Sequence, residues 1–355
     1  MRSPARMEQD EDEGPRPPWR TTGLVGHGPA EQHLLDAYRT ERLHHAWLIG
    51  GPAGIGKATL AWRFARFLLT HSDPRARAVQ EATTLAVTPE APAAQRIAAG
   101  SHGDVVALRR EWNEKTKKLF SEIRVDDVRR ALGLFQNAAG AGGYRVCIID
   151  SAEDLNRSSA NALLKIIEEP PPRSLFMILA HRPGQVMPTL VSRCRRLTLA
   201  ALSDDEVIEA LDGLGDGETA MPDERLRAAA ARSQGSVAEA LRLLGGDALD
   251  LDQAVRQVLD RLPNVDWRSV HRLADTVGFS DDRFALMIEA LFDEIAARLR
   301  RGAAQGQPTA DLARLAGAWE RVRVTAREAS VLNLDKRPVL LSIMAELAEA
   351  TPLSR

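Results

Sequence analysis

Residues 51–59 read G-P-A-G-I-G-K-A-T, with H-A-W-L-I-G directly before them and A-T-L-A-W-R-F-A-R-F-L-L overlapping and following them. A glycine-rich turn between a short buried strand and an amphipathic helix confines this part of the chain to an α/β architecture. In the pattern G-x-x-x-x-G-K-[ST], backbone N–H groups and the helix N-terminus cradle phosphate, and the lysine neutralises its oxygens. Gly51, Gly54, Gly56 and Lys57 are retained, but Ala58 stands where a hydroxyl would ligate Mg²⁺. Thr59 comes one residue late. A helix turns by about 100° per residue, so the Thr59 hydroxyl points away from the metal position unless the loop shifts register. The pattern predicts a nucleotide site kept in outline and altered at the metal.

From about residue 19 to residue 200, strand-like apolar runs alternate with helical periodicity, as in a parallel sheet wrapped by helices. Strands are expected at 46–49, 105–108, 145–149, 175–180 and 196–199. Residues 72–103, rich in Ala, Pro and Thr, read as an irregular or partly helical insertion. After Leu202, S-D-D-E opens a helix with Ser203 as N-cap and Glu206 as its reciprocal partner. From there the pattern is helical only, with breaks at 213–218, 245–250 and 302–308. The expected domains are a tail at 1–20, an α/β domain at 21–202, a small helical domain at 203–248 and a helical bundle at 249–355.

The chain has 355 residues, 44% of them hydrophobic, enough for sizeable cores, and a formal charge of −2. Two cysteines, Cys147 and Cys194, supply neither a disulfide framework nor a Cys₄ zinc site. No apolar run reaches the roughly 18 residues of a membrane span and the opening residues lack a signal-peptide core, so a cytoplasmic location away from membranes is expected. The near-neutral balance argues against a stand-alone nucleic-acid-binding protein but leaves a local face open. One candidate is R-R-E-W-N-E-K-T-K-K at 109–118, where five basic residues and two glutamates surround Trp112. It reads equally as a phosphate-contacting surface and as a solvated one.

The strand R-V-C-I-I-D ends in Asp150, where an acidic residue would hold hydrated magnesium beside a phosphate loop. Alone, Asp150 reads equally as a turn or helix-capping aspartate. In a working ATPase a glutamate that orients the attacking water typically follows; here Ser151 follows, and Glu153 stands two residues further on. F-M-I-L-A-H-R brings His181 to the end of a strand, near a γ-phosphate position, and N-R-S-S-A-N-A-L-L-K-I-I-E-E at 156–169 is an amphipathic helix stopped by prolines 170–172.

L-V-G-H at 24–27, the altered loop, I-I-D-S-A-E-D, N-A-L-L-K-I-I-E-E-P-P and S-R-C at 192–194 follow one another in the order of the clamp-loader branch of the AAA+ ATPases. The chain resembles that branch over about residues 20–245, and within it the delta-prime type of bacterial DNA polymerase III; N-L-D-K-R-P-V-L at 333–340 is similar to that family's closing collar helix. The resemblance implies a RecA-like AAA+ P-loop α/β domain, a small helical lid and an all-α collar. It implies that Arg193 of S-R-C reaches in trans into a neighbour's ATP site. It also marks position 238, here alanine, as the place of a phosphate-sensing arginine in the motor subunits, and 72–103 as the place of a four-cysteine zinc module that this chain lacks, so no zinc is expected. The implied partners are gamma/tau-type motor and delta-type subunits in a hetero-oligomeric ring, with the sliding clamp and primed DNA reached through the assembly. The implied role has no independent ATPase activity. Two alternatives stay open: a self-sufficient gamma/tau-type ATPase using Lys57, Asp150 and Thr59, and a scaffold that binds ATP or ADP through residues 51–57 without hydrolysis.

Overall fold

The computed structural model describes residues 17–116, 118–136, 143–214, 222–332 and 334–351. It divides into two compact units, one running to Leu241 and the other beginning at Arg242. Most of the expected tail, most of the break at 213–218 and Asn333 of N-L-D-K-R-P-V-L lie outside the described residues.

The first unit is built on five parallel strands: β1 (Ala46–Gly50), β2 (Val105–Leu108), β5 (Arg145–Ile149), β6 (Ser174–Ala180) and β7 (Arg195–Thr198). Their spatial order is β2-β5-β6-β1-β7. Each matches its sequence expectation to within one residue at either end. β1, β5 and β6 are buried along their whole length, which is why they read as unbroken apolar runs rather than as alternating ones. Ala46 pairs with Phe176 and Gly50 with Ala180, so β1 and β6 finish level.

Alternate residues of these strands feed two apolar layers. Trp47, Ile49, Ile148, Met177 and Leu179 pack with α1 (Gly28–Arg39) and α2 (Lys57–Thr70). Leu48, Cys147, Phe176 and Ile178 face α5 (Val125–Leu132) and α6 (Arg157–Glu168) on the other side. Trp19 is buried against Trp62 of α2, ring centroids 6.2 Å apart, which anchors the chain ahead of α1. The 72–103 insertion forms α3 (Arg77–Gln80) and α4 (Pro92–Ala98), and it drives Val79, Leu85 and Ile97 into the first layer. Glu31 pins it there, because one carboxylate oxygen accepts from Leu85 N–H at 2.9 Å and from Arg63 at 2.6 Å. Apolar burial, this shared carboxylate and further bonds such as Arg39 to the Ala82 carbonyl at 2.7 Å hold the segment.

A short antiparallel hairpin, β3 (Trp112–Asn113) and β4 (Lys118–Leu119), falls on the basic run and has no counterpart in the expected strands. Asn156 caps α6 by accepting Ser159 N–H at 2.9 Å, and the helix ends two residues before Pro170. After α7 (Pro188–Val191) and β7, the capping box opens α8 (Asp204–Leu214): Ser203 N–H donates to Glu206 at 2.8 Å and Glu206 N–H returns to Ser203 Oγ at 3.3 Å. Such a cap stabilises a helix by about 1 kcal/mol. α9 (Asp223–Arg232) and α10 (Val237–Leu244) complete this region.

The second unit packs α11 (Ala248–Leu259), α12 (Trp267–Val277), α13 (Asp281–Ala304), α14 (Thr309–Val331) and α15 (Lys336–Ala350) around one core. At its edge Glu294 is only 2% exposed and accepts from Arg256 at 2.5 Å, Arg298 at 3.0 Å and Arg301 at 2.8 Å. A buried carboxylate survives in a helix because three guanidinium groups compensate it.

Candidate nucleotide site and an exposed arginine

β1 ends at Gly50 and the chain turns through residues 51–56 into α2. Gly51 and Gly54 hold φ of 149° and 72°, backbone that side chains rarely adopt, and a Cβ on Gly51 would lie 2.5 Å from the Leu199 carbonyl oxygen. The Gly51 N–H donates to Ala180 at 3.1 Å, tying the loop to the end of β6. From the other side His27 of L-V-G-H, 4% exposed, donates Nε2–H to the Ile55 carbonyl at 2.6 Å. The loop is thus fastened by two elements distant in sequence.

Lys57 is the first residue of α2 and is buried. Its ammonium donates to the Gly51 carbonyl at 2.8 Å and to that of Pro52. Burial pushes its pKa down to about 8, against the upward pull of Asp150 and Glu153. Thr59, third in α2, is half-buried, and Ala58 leans on the first apolar layer.

Adjacent strand ends bring the remaining groups together. β5, β6 and β1 are neighbours, so Asp150, His181 and Lys57 converge at their carboxyl ends, where open α/β sheets bind ligands. Burial raises the Asp150 carboxyl, while His181 and then Lys57 and Arg109 draw it back down. Burial lowers the His181 imidazole, and Lys57 lowers it further. Burial opposes ionisation of Glu153, yet the Arg182 N–H that it accepts leaves its carboxyl below the usual range. Ser151 Oγ donates to Asp154 at 3.3 Å, and Asp154 also pairs with Arg110 at 3.4 Å. Glu153 Oε2 and His181 Nδ1 are buried without a hydrogen-bond partner.

This donor set suits phosphate better than it suits magnesium. Phosphate would be held by backbone N–H groups at the start of α2 and by Lys57, exchanging two carbonyls for phosphate oxygens. A cation finds less. The Ala58 side chain offers no oxygen, and burial raises the Asp150 carboxyl, which works against the charged form that a cation needs. Among the described residues no group of three or more His, Cys, Asp or Glu is arranged to hold a metal ion.

The loop also touches α10. The Gly54 carbonyl accepts the Ala238 N–H at 3.3 Å, and a Cβ on Gly54 would lie 2.2 Å from Ser236 Oγ and 2.8 Å from Ala238 Cβ. Glycine is what lets the helix approach. The resemblance alone pointed to this contact, through the phosphate-sensing place it marks at position 238; two small residues and a carbonyl carry no local pattern.

Arg193 occupies the turn between α7 and β7, with its side chain 40% exposed. Cys194 beside it packs against the second apolar layer, and burial pushes its thiol up to about 12. The cysteine anchors the turn and the arginine faces outward. Nη1 of Arg193 donates to the Thr189 carbonyl at 3.0 Å and to Ser192 Oγ at 3.4 Å, and Nη2 pairs with Glu168 at 2.7 Å. None of these partners belongs to the loop cluster. The structure therefore gathers Gly51, Gly54, Gly56, Lys57 and Asp150 into one site and gives Arg193 a separate setting.

A family model described as DNA polymerase III, delta subunit, matches residues 26–203. Over 182 residues the chain is 37% identical to DNA polymerase III subunit delta' of Pseudomonas aeruginosa, covering 48% of this chain and 51% of that protein. Over 243 residues it is 30% identical to DNA polymerase III subunit delta' of Escherichia coli, covering 68% and 67%. It is 28% identical over 335 residues to DNA polymerase III subunit tau of Escherichia coli, covering 91% of this chain and 47% of that protein. The match to the Pseudomonas relative thus spans about half that protein's length.

Proposed function

The chain belongs to the DNA polymerase III, delta subunit family, and we propose from that premise that it is a delta-prime-type clamp-loader subunit. In this reading it does not hydrolyse ATP itself, and it offers Arg193 in trans to an adjacent gamma/tau-type motor subunit. The observation that carries the reading is the pairing of a metal-poor loop with an outward guanidinium anchored by Cys194. A guanidinium is permanently charged and forked to match phosphate oxygens, and supplied in trans it raises phosphoryl-transfer rates by about 10³–10⁵.

Residues 21–202 would act as the AAA+ domain, 203–248 as the lid and 249–355 as the collar that joins the ring. Phe279, Val331 and Leu332, 92%, 74% and 65% exposed, are apolar side chains that such a subunit contact would cover. The ring would include a delta-type subunit, with the sliding clamp and primed DNA handled by the assembly. Copurification with gamma/tau-type and delta-type subunits, and clamp loading by that mixture but not by the mixture without this chain, tests the assignment. Clamp loading that is indifferent to the chain overturns it.

A second reading keeps nucleotide without hydrolysis. The unspent hydrogen-bonding capacity of His181 Nδ1 beside the loop favours it over an inert remnant. Equilibrium binding of ATP or ADP to the isolated chain, with no turnover, separates this reading from an empty loop. Steady-state turnover by the chain alone would instead revive the self-sufficient motor.

A further inference from the structure

Arg193 does not leave its turn as a free side chain. Glu168, in the last turn of α6, takes one edge of its guanidinium at 2.7 Å, and the Thr189 carbonyl takes the other terminal nitrogen at 3.0 Å. Glu168 belongs to the run that ends at Pro170, so the helix stop fixes where its carboxylate stands. Thr189 lies in α7, so two short elements approach the same planar fork from different directions.

We propose that Glu168 is a positioning residue for Arg193. Resting on the trans-acting role argued above, this assigns the carboxylate the task of holding the fork in register, with its remaining N–H donors directed at the γ-phosphate of a neighbouring subunit. The physical case is the geometry of the fork. A guanidinium carries five donors in one plane, so engaging Nη1 with Thr189 and Ser192 and Nη2 with Glu168 fixes the plane and leaves two, Nε–H and one on Nη2, for phosphate. An arginine on a flexible stem otherwise spreads over many rotamers, and misplacement by about 1 Å costs up to about a hundredfold in transfer rate. The pair is exposed on both sides, 40% and 47%, so the tether itself is weak; pairs of this kind shift populations by roughly two- to fivefold.

The test is a double-mutant cycle in the reconstituted loader, reading DNA-dependent ATP turnover with Arg193→Ala, Glu168→Gln and the combination. Glu168→Gln is expected to lower kcat roughly two- to tenfold with KM for ATP unchanged. Combined with Arg193→Ala it is expected to add nothing. Glu168→Asp, which keeps the charge, is expected to recover part of the loss. An unchanged or raised kcat in Glu168→Gln overturns the assignment, the rise because it would make Glu168 a competitor of phosphate. A loss that persists in full on top of Arg193→Ala overturns it too, since a merely structural defect would add. If Arg193→Ala alone leaves turnover intact, it is the trans-acting role that fails, and the two failures are told apart.

Discussion

The backbone N–H of Ala238 donates to the carbonyl oxygen of Gly54 at 3.3 Å, so the start of α10 rests on the middle of the glycine-rich loop at 51–56. The resemblance implies an arginine at this place in the motor subunits. Here the side chain is a methyl group, and its small size together with the bare Gly54 backbone allows van der Waals approach.

Gly54→Ala is the direct probe of that contact. The new methyl would meet Ser236 Oγ at 2.2 Å and Ala238 Cβ at 2.8 Å, at a φ of 72°. We expect a loss of about 1–3 kcal/mol in stability and faster hydrogen exchange at the Ala238 amide. Gly103→Ala, where a Cβ meets nothing within 4 Å, is the control and should stay within about 0.5 kcal/mol of wild type. Equal effects of the two substitutions would show that the contact contributes nothing.

Lys57 gives a pH signature. Its pKa falls to about 8 in the folded chain, below the ordinary lysine value near 10.4 kept on unfolding, so between those values the unfolded chain binds more protons. Stability attributable to Lys57 must therefore rise with pH across that window. Denaturant titrations of wild type and Lys57→Met from pH 7 to pH 10 isolate it from other groups. Wild type should gain on the variant by about 1–3 kcal/mol as pH rises; a constant difference contradicts the buried-ammonium geometry.

Glu294 should be the most sensitive charged residue of the second unit. Replacing it with Ala leaves Arg256, Arg298 and Arg301 without their shared buried acceptor. Because Arg256 keeps Asp252, Arg298 keeps Asp260 and Arg301 is over half exposed, a loss of about 1–3 kcal/mol is expected, against less than about 1 kcal/mol for the exposed pair Arg227–Asp223. Chemical denaturation of the two alanine variants decides it.

Phe279→Asp tests the collar surface. The side chain is 92% exposed, so the isolated chain should keep its melting temperature, while its affinity for the other ring subunits should fall about tenfold or more. Isothermal titration against the partner subunits reads the difference, and unchanged affinity would remove Phe279 from the interface.

The features legible in the sequence were those that a local pattern carries. Strand β5 was visible because both its faces are buried and R-V-C-I-I needs no polar alternation. The Ser203–Glu206 box was visible because its chemistry lies within four residues. The loop glycines and Lys57 were visible as a spacing, and the sheet order then brought Asp150 beside them. What stayed hidden joins distant single residues. His27 clasps Ile55 across 28 positions, Glu168 meets Arg193 across a proline stop and a strand, and Glu31 anchors Leu85 across 54. The hairpin at Trp112–Asn113 and Lys118–Leu119 was hidden for another reason. Two-residue strands in a charged run have neither length nor apolar periodicity to reveal them.

The central claim is that this chain completes a neighbour's ATP site rather than running its own. DNA-dependent ATP hydrolysis by the loader, reconstituted with wild type or Arg193→Ala and compared with the isolated chain, tests it most directly. The account predicts no turnover by the isolated chain and a fall of about 10³-fold or more at the neighbouring site when Arg193 is removed. Turnover by the chain alone, or a loader indifferent to Arg193, would contradict it.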